Sequence, residues 1–190
     1  MGRAWLLTGR PGVGKTTCLR RVLERLGRPA GGFVTEEVRR GGVRVGFALV
    51  TLEGQRATLA DVTRRGNPRV GKYGVDVEAL DRVGVPAIRR AAEAGWLVVV
   101  DEIGKMELAA PAFRAAVDEA LASAAPVLGT VMAAAHPWAD RVKAAPGVTL
   151  IEVTVANRDG LPVRLLDLVG KEATSRERSR PAAPPAPPAR

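Results

Sequence analysis

The stretch LLTGRPGVGKTTCLRRVLERL, Leu6–Leu26, sets a glycine-rich turn between an apolar run and a helical repeat near the start of the chain. Within it, Gly9-Arg10-Pro11-Gly12-Val13-Gly14-Lys15-Thr16 matches G-x-x-x-x-G-K-[ST] at every fixed position. Ala4–Leu7 suits a short buried parallel strand. Cys18, Leu19, Val22, Leu23 and Leu26 recur at helical spacing, and Gly27 ends the pattern. Glycines let the backbone curl until its N–H groups converge on phosphate oxygens at a helix N-terminus. Lys15 is then expected to reach β- and γ-phosphates, and the Thr16 hydroxyl to hold Mg²⁺. The motif in its strand–turn–helix setting predicts a nucleoside-triphosphate site.

Such a site needs a carboxylate at the end of a second buried strand. Leu97-Val98-Val99-Val100-Asp101-Glu102 supplies one. Asp101 is expected to hold Mg²⁺ through water, opposite Thr16. Glu102 is expected to polarise the water that attacks the γ-phosphate. Thr130 lies in the apolar run Val127–Val131, a strand expected between the two motif strands. Its hydroxyl is read as a γ-phosphate sensor or water-orienting group. His136, the single histidine, precedes Pro137 and reads as a surface or capping residue. One histidine and one cysteine argue against a zinc site. Trp5, Trp96 and Trp138 read as core or boundary aromatics.

The 190 residues suit one domain, or one domain with a tail. Hydrophobic residues make up 46% but aromatics only 4%, so Val, Leu and Ala must build the core. A lone Cys18 cannot form an internal disulfide, which fits a reduced, cytoplasmic setting. No run approaches the ~18 apolar residues needed to cross a bilayer, and no leader pattern opens the chain. The net charge of +9 invites a nucleic-acid reading. Yet 24 arginines face five lysines in an Ala-, Gly- and Pro-rich chain, a bias that GC-rich coding also produces. Few aromatics stand ready to stack bases, so nucleic-acid binding is the weaker reading.

Beyond the first helix, GGFVTEEVRR and VRVGFALVTLEG read as a hairpin turning at Gly41-Gly42. QRATLADV can add a strand, whereas RRGNPRVGKYGVD, rich in turn residues, reads as irregular. Val77–Ala94 is helical in period, with a break or fresh start expected at Val85-Pro86. PAFRAAVDEALASA, HPWADRVKA and LPVRLLDLV read as helices, and VTLIEVTV as a strand. Strands alternating with helices predict an α/β fold of the P-loop type. Its mostly parallel central sheet lies between two helical layers and carries the inserted antiparallel hairpin. The domain is expected over 1–170. Residues 171–190, which hold five of the 14 prolines, are expected to be a disordered basic tail.

The segments GRPGVGKTT, GGFVTEEVRRGGVRVGF, PRVGKYGVD, VPAI, DEIGKMEL, VLGTV and NRDGLP run in order from Gly9 to Pro162. In them the chain resembles the small nucleoside-triphosphatase family of archaea and thermophilic bacteria, which has an animal cancer-related member. The resemblance implies Mg²⁺-dependent phosphate release from several nucleoside triphosphates, with diphosphates as poorer substrates. It also implies two nucleotide-contacting segments. One maps to Gly9–Thr16, the other to Val99, Val100, Asp101, Glu102, Ile103, Gly104, Lys105 and Met106. Lys105 and Glu107 belong to the matched motif without a separable task. Asn157 and Arg158 present planar donors suited to a base or ribose edge. Two other functions share the loop. A nucleoside or nucleotide kinase would need an acceptor pocket, which the EEVRRGGVRVGF hairpin can imitate. A GTP-dependent switch would use DEIG as its D-x-x-G, but no N-K-x-D follows.

Overall fold

In the computed structural model, which describes residues 2–178 with side chains as far as Glu172, β1 (Ala4–Thr8) feeds the glycine-rich turn and α1 (Lys15–Leu23). A hairpin of β2 (Ala30–Arg40) and β3 (Val43–Thr51) follows, turning at Gly41-Gly42, and β4 (Arg56–Asp61) extends it. The segment expected to be irregular contains two short strands, β5 (Arg69–Val70) and β6 (Tyr73–Val75), antiparallel to each other. They form because Tyr73 and Val75 bury against Ala60, and Tyr73 meets Phe47 edge-on at 5.2 Å between ring centroids. That pairing is invisible in local composition.

The fresh helix start expected at Val85-Pro86 is found there, as a change of helical pitch rather than a break. α2 (Val77–Ala79) runs into a π-helical stretch, Leu80–Gly84, and on into α3 (Val85–Glu93). Pro86, which has no N–H to give, stands in the first turn of α3. The remaining elements are β7 (Leu97–Ile103), α4 (Pro111–Ala122), β8 (Val127–Val131), α5 (Pro137–Lys143), β9 (Val148–Glu152) and α6 (Leu161–Arg178). His136 caps α5: its Nδ1 accepts the Ala139 N–H at 3.4 Å. The last helix continues past Gly170 to Arg178, while 179–190 of the expected tail lie outside the described residues.

One nine-stranded sheet orders these strands β5-β6-β4-β3-β2-β7-β8-β1-β9. β2, β7, β8, β1 and β9 run parallel, and the other four extend the sheet antiparallel from β2. The antiparallel portion is thus larger than a hairpin. Strand alternation divides the core between two faces. Leu6, Val98 and Val100 join the cluster under α3 and α4, while Trp5, Leu7 and Val99 join the one under α1 and α6. Trp5 is buried, Trp138 half-buried and Trp96 exposed. The parallel order places the C-terminal ends of β1, β8 and β7 side by side, as in open α/β sheets that bind ligands at that edge.

Candidate active site

Each strand end delivers one part of the site. After Thr8 the chain turns through Gly9–Gly14 with Gly9 at φ 141° and Gly14 at φ 111°. A Cβ on Gly9 would lie 2.6 Å from the Val153 carbonyl oxygen, so only glycine fits there. α1 then starts with no acid in its first turn and no side-chain cap, which leaves its N-terminal N–H groups for an anion. Lys15 is folded back over the loop, its Nζ donating to the Gly9 carbonyl at 3.2 Å. The same nitrogen stands 3.7 Å from Glu102 Oε1.

β8 lies between β1 and β7, as the strand order of related sheets led us to expect. This order lets Thr16 and Thr130 both donate to Asp101 Oδ1, Thr16 at 3.2 Å. Asp101 is fully buried, and its Oδ2 has no hydrogen-bond partner among the described residues. Burial holds its carboxyl above the ordinary value, opposed by the two threonine hydroxyls. Glu102 is raised as well, first by burial, with Lys15 opposing and Asp101 adding. The β7–β8 register shifts between Val100 and Ile103, an irregularity of the kind that re-aims side chains. Both carboxylates thereby come to the loop, although a regular strand would send them to opposite faces.

An oxygen donor set of one hydroxyl and one carboxylate, with a buried unpartnered oxygen, fits Mg²⁺. Among the described residues no cluster of His, Cys, Asp or Glu holds a metal unaided. A divalent cation held here would take further oxygen ligands from phosphate and water.

A cleft of about 940 Å³ opens above these groups, lined by Gly9, Pro11, Gly12, Gly14, Lys15, Thr16, Glu102, Gly104 and Lys105. Val99, Val100 and Ile103 are core residues instead, and Met106 packs against the core. Arg10 is exposed, and Val13 offers its carbonyl to Arg158 Nη1 at 3.4 Å. A second cavity of about 230 Å³ lies beside the loop, between Gly12, Thr17, Arg21 and Arg158. Asn157 is turned into its own loop: Oδ1 accepts the Thr154 N–H at 2.9 Å and Nδ2 donates to the Glu152 carbonyl at 2.8 Å. Of the two residues read as base or ribose contacts, Arg158 faces a cavity and Asn157 does not.

Sequence reasoning named the EEVRRGGVRVGF hairpin only as a kinase-like pocket and assigned no residue of the far wall of the cleft. Arg20, Thr35, Glu36, Glu37, Arg44 and Phe47 line it. Glu36 binds Arg20 at 2.9 Å and also Arg56; Glu37 binds Arg44 at 2.7 Å. The bonds from Arg56 and Arg44, respectively, are the first cause that holds each carboxyl below its ordinary value. Arg20 stands one helical turn beyond Thr16, a spacing that could have signalled it. Glu107, named in the matched motif without a task, is four per cent exposed. Burial pushes its carboxyl up to about 8.

The family described as NTPase matches residues 4–166. The nucleoside-triphosphatase THEP1 of Thermofilum pendens is 48% identical over 167 residues, 85% of this chain and 92% of that one. The crystal structure of THEP1 from Aquifex aeolicus superposes with a TM-score of 0.80 at 36% identity, covering 87% of this chain and 98% of that one. The solution structure of a human cancer-related nucleoside triphosphatase gives 0.76 at 36% identity, covering 90% and 98%. With that span matched and those strand ends in place, the chain belongs to the NTPase family.

Proposed function

We propose that the protein hydrolyses the γ-phosphate of ATP, GTP, CTP, UTP and TTP with Mg²⁺, releasing the diphosphate and phosphate, and acts more weakly on diphosphates. The observation that carries this reading is the meeting of Lys15, Thr16, Asp101 and Glu102 at one sheet edge. Thr16 and Asp101 would hold Mg²⁺, which when bound neutralises charge on the β- and γ-phosphate oxygens. Lys15 draws the same oxygens and stabilises charge on the bridging oxygen as its bond to phosphorus breaks. Glu102 takes the proton of the attacking water. A diphosphate leaves Lys15 without its γ-partner, which supports weaker turnover. A reduced cytoplasmic setting belongs to the proposal too: Cys18 is buried and its thiol is pushed up to about 11.

Glu102→Gln tests the assignment, because it keeps shape and removes the anion. Single-turnover phosphate release should fall by ~10²–10⁴-fold. Binding of a non-hydrolysable ATP analogue with Mg²⁺ should change little. A variant that loses affinity yet keeps its single-turnover rate removes Glu102 from the chemistry. The width of the cleft between loop and hairpin favours one second reading, transfer to an acceptor. Phosphate release measured against phosphorylated product, with and without candidate acceptors, separates the two.

A further inference from the structure

We propose that Glu107 is a positioning residue for hydrolysis, setting the Glu102 carboxylate through the turn that joins them. The inference rests on the reading of Glu102 as the group that activates water.

Three observations carry it. β7 ends at Ile103, and the chain leaves through a tight turn in which Leu108 N–H donates to the Gly104 carbonyl at 2.9 Å. Glu107 opens the 3₁₀ turn Glu107–Ala109, and its carboxylate lies back over Gly104 at the start of that turn. Second, Gly104 lies between the two acids. A Cβ there would stand 3.0 Å from Glu107 Oε2 and 3.4 Å from both Cγ and Oε2 of Glu102. Glu107 and Glu102 thus meet on the same side of Gly104. Third, Glu107 is buried and has no arginine or lysine ion pair among the described residues, although acids are rarely buried unpaired.

The groups that face it define its charge state. Glu102 and Asp101 on β7 both disfavour a further anion, and burial disfavours it more. Glu107 consequently stays protonated near neutrality, where its O–H is an extra donor beside Glu102. Above about pH 8 it ionises and sets a second negative charge beside the attacking water and the γ-phosphate. Rate should fall there.

The experiment uses the full chain and three variants, read by single-turnover phosphate release from ATP with Mg²⁺ between pH 6 and 9.5. Binding of a non-hydrolysable ATP analogue is measured beside it. Glu107→Ala takes the carboxyl group away from Gly104 and opens space beside Glu102. It should lose at least about tenfold in rate while affinity moves less than about threefold. Glu107→Gln keeps a side chain of the same shape beside Gly104 but cannot ionise. It should stay within about threefold of wild type at pH 7 and lose the alkaline fall. Glu102→Gln is the control. If it keeps its rate, the Glu102 reading fails and this proposal falls with it. If Glu102→Gln is slow while folded Glu107→Ala is as fast as wild type, Glu107 alone is refuted. Should Glu107→Ala fail to fold, the Gln profile decides, and an alkaline fall that persists in it overturns the proposal.

Discussion

Thr130→Val removes one hydroxyl from the most enclosed part of the site and leaves its shape nearly intact. In the wild type Asp101 Oδ1 accepts from Thr130 and Thr16, and Oδ2 accepts from nothing among the described residues. The variant halves the donors that reach a fully buried carboxylate. A hydrogen bond to a charged group contributes ~1.5–3 kcal/mol, so stability should drop by about that much. For a chain of this length that is ~3–12 °C in melting temperature. The sign of the pH dependence follows from Asp101. Its folded value already lies above the unfolded one, so its ionisation costs stability as pH rises beyond the ordinary carboxylate range. Without Thr130 the folded value climbs further, and the gap to wild type should widen from pH 5 to pH 8. Binding of a non-hydrolysable ATP analogue should need several-fold more Mg²⁺, because the carboxylate is less often ionised and less firmly aimed. Thr130→Ser keeps the donor and should recover most of both effects. Thermal unfolding at the two pH values and a Mg²⁺ titration make the measurement. A Val variant with wild-type stability and metal requirement would refute the reasoning, as would a Ser variant as damaged as Val.

Two further outcomes concern the loop. Lys15→Ala should abolish turnover and weaken triphosphate binding, measured by phosphate release and calorimetry, whereas Arg10→Ala, whose side chain is exposed, should be mild; equal collapse at both would make Arg10 a catalytic charge. Gly9→Ala should disable nucleotide binding even where the chain still folds, since its Cβ would collide with the Val153 carbonyl. An Ala variant that binds the analogue normally would show that the loop can move off β9.

Much of the catalytic edge was legible because its signals are local. The loop glycines, the apolar run ahead of them and the run ending in Asp101-Glu102 each carry their own period and spelling. Thr130 was placed by the strand order of related sheets. What stayed hidden depended on partners distant in the chain. β5 and β6 are too short to have a period, and exist because β4 and Phe47 give them something to pair with and pack on. The far wall of the cleft was hidden for the same reason. Glu36 and Arg44 look like surface charges until the hairpin swings them over the loop. Asn157 went the other way, its amide drawn into a turn that no spacing rule announces. Glu107 was a letter in a motif, and only its burial gives it a task.

Glu36 has a consequence for how the cleft answers its surroundings. The helix that begins at the phosphate loop and the strands that form the opposite wall are joined there through one carboxylate, held by Arg20 from one side and Arg56 from the other. All three side chains are partly open to water, so dissolved ions compete for them. The hydrophobic layers beneath are indifferent to such competition, because burial is non-directional and uncharged. Ionic strength therefore acts on the aperture and spares the foundation: in concentrated salt the mouth of the cleft slackens while the sheet below it keeps its shape.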